Sequence, residues 1–198
     1  MGDGRRGPVR IIALILLVIV ISVAWIATRR SSRDRQIVAA GTIPALMITS
    51  SSFANDGTIP PKFTCDGGDV SPQLTVSAPP AGARSLALIV EDPDAPAGSF
   101  VHWVAFNLPA TLRDLPEGAS AQPNSMQGAI QGKNDFDKTG YGGPCPPGNK
   151  PHHYVFRVYA LDRILQLPEG ATIGEITGAA RGHVLAEGKL VGLYGPRQ

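Results

Sequence analysis

The chain has few of the residues that signal catalysis or metal binding. Two cysteines and four histidines are spread over 198 residues, with no His-x-x-x-His or Cys-x-x-Cys spacing, so no zinc signature is present. There is no Gly-x-Ser-x-Gly segment, which removes the strand-turn-helix setting of a serine hydrolase nucleophile. Internal repeats, heptads and low-complexity tracts are missing, excluding solenoids and coiled coils. Twenty-three glycines and eighteen prolines leave little room for long helices. A basic surface is also lacking where it would matter. The net charge of +2 comes from residues 1–40, where seven arginines face only Asp3 and Asp34; from Gly41 onward eleven Lys and Arg stand against fourteen Asp and Glu. That part is acidic, and a nucleic-acid footprint is excluded.

One long apolar run is present. Ile11 to Thr28 carries no charge, is about 27 Å long as a helix, and so nearly matches a hydrocarbon core of roughly 30 Å. Trp25 and the Arg29-Arg30 pair mark an interfacial boundary. Residues 1–28 therefore read as an uncleaved single-pass anchor and 29–42 as a linker, with a domain over 43–198 on the extracytoplasmic side. The alternative is a secretory signal cleaved after Ser22-Val23-Ala24. Cys65 and Cys145 bear on the compartment. Joined across 80 residues, they would stabilise by about 4–5 kcal/mol in the chain-entropy model, as suits an exported domain; two small buried thiols are the alternative.

The domain reads as mainly β. Short apolar segments broken by turns recur: "ALMITSSSF", "QLTVSA", "SLALIVE", "VHWVAFNL", "HHYVFRVYAL" and "GKLVGLYG". "SLALIVE" is apolar almost throughout and predicts a strand buried on both faces. "TIGEITGAARGHVLA" predicts a helix covering a sheet, with Thr172 as N-cap and Glu175 completing a capping box.

Two loops hold the chemistry. In "EDPDAP", Pro93 and Pro96 restrict the backbone and hold Asp92 and Asp94 at a strand end. Strand alternation in "FVHWVAFNLP" then places His102 with Val104 and Phe106, opposite Trp103 and Ala105. The second loop, "TGYGGPCPPGNKPHHY", is rich in glycine and proline, and its backbone N–H groups suit an anion. It delivers His152 and His153 to opposite faces of a strand, so one of them shares the site. A satisfied core histidine with ordinary turn aspartates, and a loop that only connects, are the competing readings.

These segments, with "FTCDGGDVSPQLTVS", "QGKNDFDKTGYGGPCPP" and the closing "GKLVGLYG", resemble the phosphatidylethanolamine-binding protein family in its bacterial branch of Raf kinase inhibitor-like proteins. The resemblance covers nearly the whole domain. It implies a β-sandwich with a short helix or helices on one side and a small pocket at one end that accepts phosphate-like anions and phospholipid head groups. Carried over by motif position, Asp92, Asp94, His102, Pro146, His152 and Tyr154 line that pocket, Tyr194 lies near its mouth, and His153 faces away. Two departures stand out. Val101 precedes His102 where the branch often has an aromatic, and one residue fewer separates the prolines from His152.

The expectation is therefore a membrane-tethered, non-enzymatic binding module for small phosphorylated or zwitterionic ligands, needing no cofactor or metal. Two other classes compete with it. One is an inhibitor of a kinase or protease acting through protein contact, and the other a hydrolase using Asp92 or Asp94 with His102.

Overall fold

The computed structural model describes residues 43–195 apart from Asn149. These belong to one compact unit starting at Ile43. Short strands and one short helix follow one another along the chain: β1 (Ile48–Thr49), β2 (Gly57–Thr58), β3 (Leu74–Val76), β4 (Ser85–Asp92), β5 (Phe100–Pro109), β6 (Asp114–Leu115), β7 (Ile130–Gln131), β8 (His152–Leu161), α1 (Ile173–Ala180) and β9 (Val184–Tyr194). The strands form two sheets, one of three strands in the order β1-β3-β6 and one of six in the order β2-β9-β8-β4-β5-β7. All pairings in the large sheet are antiparallel except β2 with β9.

The large sheet is covered on both faces, which explains why β4 has no polar side. Leu86, Leu88 and Val90 of β4, with Trp103, Phe156 and Leu190, pack into one core with Ile48, Leu74, Val76 and Leu115 of the small sheet. Ala87 and Ile89 of the same strand face a second core made with Val104, Phe106, Leu165 and Ile176. Burying each such side chain is worth about 1.5–3 kcal/mol. Among the described residues the fold is thus a β-sandwich with one α-helix on its outer face.

α1 starts as the capping box predicts. Thr172 accepts the Glu175 backbone N–H, and the Glu175 carboxylate accepts the N–H of Thr172 at 2.8 Å. It ends earlier than the sequence pattern suggests. Gly182 takes a left-handed φ of 80°, and "VLA" belongs to β9 rather than to the helix.

Among the described residues no helix is long and apolar enough to cross a membrane. The single-pass localisation expected from the sequence has no spanning helix behind it in the structure and is withdrawn. The run it rested on, Ile11 to Thr28, and the linker 29–42 lie outside the described residues.

Candidate functional site

Four neighbouring strands of the large sheet, β9, β8, β4 and β5, bring polar side chains to one end of the sandwich. On β4 and β8 the alternation that points Val90 and Phe156 into the inter-sheet core also points Asp92, Tyr154 and His152 to that face. Asp92 and His152 are 3% and 8% exposed, so neither could be left there without a partner. They satisfy each other: Nδ1 of His152 donates to Oδ2 of Asp92 at 2.7 Å. The other carboxylate oxygen accepts the Asp94 backbone N–H at 2.8 Å. This is an Asx turn whose intervening residue is Pro93, and it fixes the carboxylate from both sides.

His102 reaches the site by a route that strict alternation does not allow. Val90 of β4 pairs with Trp103 of β5, while Glu91 pairs with Val101, so the register shifts by one residue at His102. This bulge leaves Val101 with Val104 and Phe106 in the outer core but turns His102 to the inter-sheet side, where it meets Tyr154. The expected grouping of His102 with Val104 and Phe106 is corrected accordingly.

The ring of His102 lies in an aromatic enclosure, with edge contacts to Tyr154, Phe100 and Phe136 at centroid distances of 5.1, 5.3 and 5.3 Å. Phe136 is presented by a turn built around buried Asn134. The Asn134 side-chain oxygen accepts the N–H groups of Phe136 and Lys138, and its amide donates to the Gly140 carbonyl. Phe100 and Phe136 supply the aromatic surface that Val101 does not.

The tautomer of His102 follows from its partner. Nδ1 lies 2.7 Å from the Gly142 carbonyl, which can only accept, so Nδ1 carries the proton and Nε2 holds a free lone pair. Burial pushes the His102 pKa below the ordinary histidine value, against the opposing pull of the Gly142 carbonyl and the Asp92 carboxylate. At neutral pH the ring is therefore uncharged.

Tyr154 is fully buried, and its hydroxyl has no hydrogen-bond partner among the described residues. Burial, followed by the nearby Asp92 carboxylate, raises its pKa strongly, so it remains a neutral donor. An orphaned hydroxyl at such depth costs about 1–3 kcal/mol.

Asp94 lies at the rim, and Tyr194 stands opposite His152 on the neighbouring strand β9. Asp94 is exposed and accepts both the backbone N–H and Nδ1 of His153, at 2.8 and 2.6 Å. Those bonds lower its pKa, and its charge is taken up by a surface pair at the rim. Tyr194 is 5% exposed and donates its hydroxyl to Asp66. Pro146 is partly buried, one residue beyond a disulfide that joins Cys65 to Cys145 with Cα atoms 5.5 Å apart.

The loop carrying Gly142 is fastened to the segment around Thr64. Tyr141 donates to the Phe63 carbonyl at 2.7 Å, Cys65 N–H to the Pro144 carbonyl at 3.1 Å, and Gly143 N–H to Asp69. Gly143 is required here, because a Cβ would sit 2.6 Å from the Phe63 carbonyl oxygen and 2.8 Å from Cα of Thr64. Among the described residues no cluster of three His, Cys, Asp or Glu is arranged to hold a metal ion.

Residues 49–195 match the sequence model of the phosphatidylethanolamine-binding protein family. The chain belongs to that family. A UPF0098 protein from Pyrococcus abyssi is 50% identical over 151 residues, which are 73% of this chain and 83% of the relative. A UPF0098 protein from Aquifex aeolicus is 44% identical over 149 residues, 74% and 86% of the two chains. Two family members of known structure superpose closely. CT736 of Chlamydia trachomatis, described as a phosphatidylethanolamine-binding protein homologue, gives a TM-score of 0.71 at 39% identity, covering 77% of this chain and 99% of its own. YbcL of E. coli, described as a member of the mammalian family, gives 0.72 at 33% identity with the same coverage.

Proposed function

We propose that this family member is a non-enzymatic binding module for small phosphorylated or zwitterionic ligands such as phospholipid head groups. The observation that carries this reading is the buried Tyr154 hydroxyl. It is a donor without an acceptor, beside the free Nε2 of His102 and the Asp92–His152 pair. A phosphate oxygen would satisfy the hydroxyl and favour protonation of His102. The imidazolium would then supply a charge-assisted hydrogen bond of about 1.5–3 kcal/mol. The Asp92 carboxylate gives the ammonium end of a zwitterion an opposite charge to approach. Phe100 and Phe136 pack edge-on against each other and give the site one apolar side.

Binding rather than turnover is favoured by the chemistry at hand. Both cysteines are consumed in the disulfide, so neither is available as a nucleophile. Equilibrium dialysis of phosphoethanolamine against the full chain tests the reading. Tyr154→Phe should weaken binding about tenfold or more, the loss of a hydrogen bond to a charged group. Equal affinity in the variant would exclude this site.

A further inference from the structure

The disulfide sits on the one segment of the site that has the fewest other restraints. Before it, Tyr141 to Pro144 are tied to Phe63, Cys65, Asp69 and Ser120 by hydrogen bonds. After it, the described residues from Pro146 to Lys150 make no backbone hydrogen bond at all until β8 begins. Cys145 opens the stretch that leads directly to His152, and Pro151 of that stretch packs against Gly195. Both cysteines are exposed. They also line a cavity of about 160 Å³, together with Phe136, Tyr141, Gly142 and Gly143. The bond is open to attack from solvent.

The same segment sets the state of His102. Gly142 accepts from its Nδ1 and donates its own N–H to the His102 carbonyl at 2.9 Å, three residues before Cys145. The Cys145 backbone also lies close enough to influence the Tyr154 hydroxyl. Both ligand donors of the proposed site therefore lean on a segment held by the Cys65–Cys145 bond.

We infer that the Cys65–Cys145 disulfide is a redox latch on the anion site: closed, it fixes Cys145 beside Tyr154 at the start of the chain that leads to His152, and opened by a dithiol it frees Cys145 and weakens ligand binding. This rests on the binding function proposed above. The step is a thiol–disulfide exchange. A dithiol reductant attacks one sulfur as thiolate, forms a mixed disulfide, and closes to its own cyclic disulfide. Two electrons and two protons pass to Cys65 and Cys145, which end as thiols. The hydrogen bonds from Tyr141, Cys65 and Gly143 remain, so the sandwich stays folded while Cys145 loses its anchor. Coupling between two sites is reciprocal. A bound anion therefore makes the disulfide harder to reduce by the same factor by which reduction weakens the anion.

The test is a titration of the full chain with inorganic phosphate, oxidised and after reduction by a dithiol, with thiols counted and far-UV circular dichroism recorded. The C65S/C145S double variant serves as a permanently open form. The latch predicts saturable binding by the oxidised protein, an affinity about fivefold or more lower in both open forms, and an unchanged β spectrum. It also predicts that saturating phosphate raises the dithiol concentration needed for half-reduction by the same factor. Oxidised protein that binds while the open forms bind within about threefold of it overturns the latch alone. Oxidised protein that does not bind overturns the binding function and the latch with it. Loss of the β spectrum on reduction makes the bond a structural staple and also overturns the latch.

Discussion

Because burial keeps His102 neutral in the empty site, an anion that binds there must bring a proton with it. Consider sulfate, which stays a dianion from pH 5.5 to 7.5. An imidazolium about 4 Å from an anionic oxygen gains about 4 kcal/mol at an effective dielectric of 20, equivalent to a pKa rise of about three units. His102 starts below its ordinary value, so the bound form is protonated over a pH window in which the free form is not. Within that window each molecule takes up about one proton on binding, and affinity falls about tenfold per unit rise in pH. Affinity therefore falls as the pH rises from 5.5 to 7.5. The groups facing the ring, Asp92 from β4, Asp135 before the Phe136 turn and the Gly142 carbonyl, all pull in the same direction, favouring the charged form. Calorimetry in two buffers of different ionisation enthalpy measures the proton uptake, and His102→Gln should abolish one unit of slope. A flat sulfate affinity in the natural protein, or the same slope in the Gln variant, would refute the reasoning.

Other outcomes follow from the same geometry. Tyr154→Phe should leave stability unchanged or raise it by about 1 kcal/mol in urea melts, since an unsatisfied buried hydroxyl is removed, although the same change weakens phosphoethanolamine. The folded protein should lose stability on acidification in two stages. Buried His102, lowered in the fold, opposes folding once the pH falls below the unfolded histidine value of 6.5. Asp94, lowered by His153, contributes stability above 3.8 that is lost as the pH drops through its folded pKa. Gly143→Ala should weaken phosphate by at least several-fold, because its Cβ must push the loop away from Phe63 and Thr64. Thr172→Ala removes the α1 capping box and should cost about 1 kcal/mol with no change in affinity, since α1 packs on the outer face.

The fold was legible where one residue pattern had one structural solution. The unbroken apolar run of β4 required burial on both faces, and Thr172 with Glu175 required a helix start. The ends were harder. "GHVLA" continues a helical spacing, but Gly182 breaks it and β9 recruits Val184, Leu185 and Ala186 into a sheet whose edge would otherwise be left unpaired. In the site, motif position named Asp92, His102, His152 and Tyr154, which the fold brings to one end of the sandwich. Alternation alone would have pointed His102 out of the site, because a one-residue bulge reverses a face and no residue type marks it in advance. Asp94 reads as a twin of Asp92 in "EDPDAP", yet the Asx turn that buries one carboxylate directs the next to the surface and to His153. Phe100 was available from its two-residue spacing to His102. Phe136 and the Gly142 carbonyl come from distant loops, and nothing local announces them.

The central claim is that the polar end of the sandwich receives an anion between His102 and Tyr154. A crystal of the full chain grown with saturating phosphoethanolamine tests it most directly. The account predicts a phosphate within hydrogen-bond distance of both Nε2 of His102 and the Tyr154 hydroxyl, with the ammonium toward the carboxylate of Asp92. A ligand seated elsewhere, or a pocket still empty with Tyr154 bonded to protein or water, would contradict it.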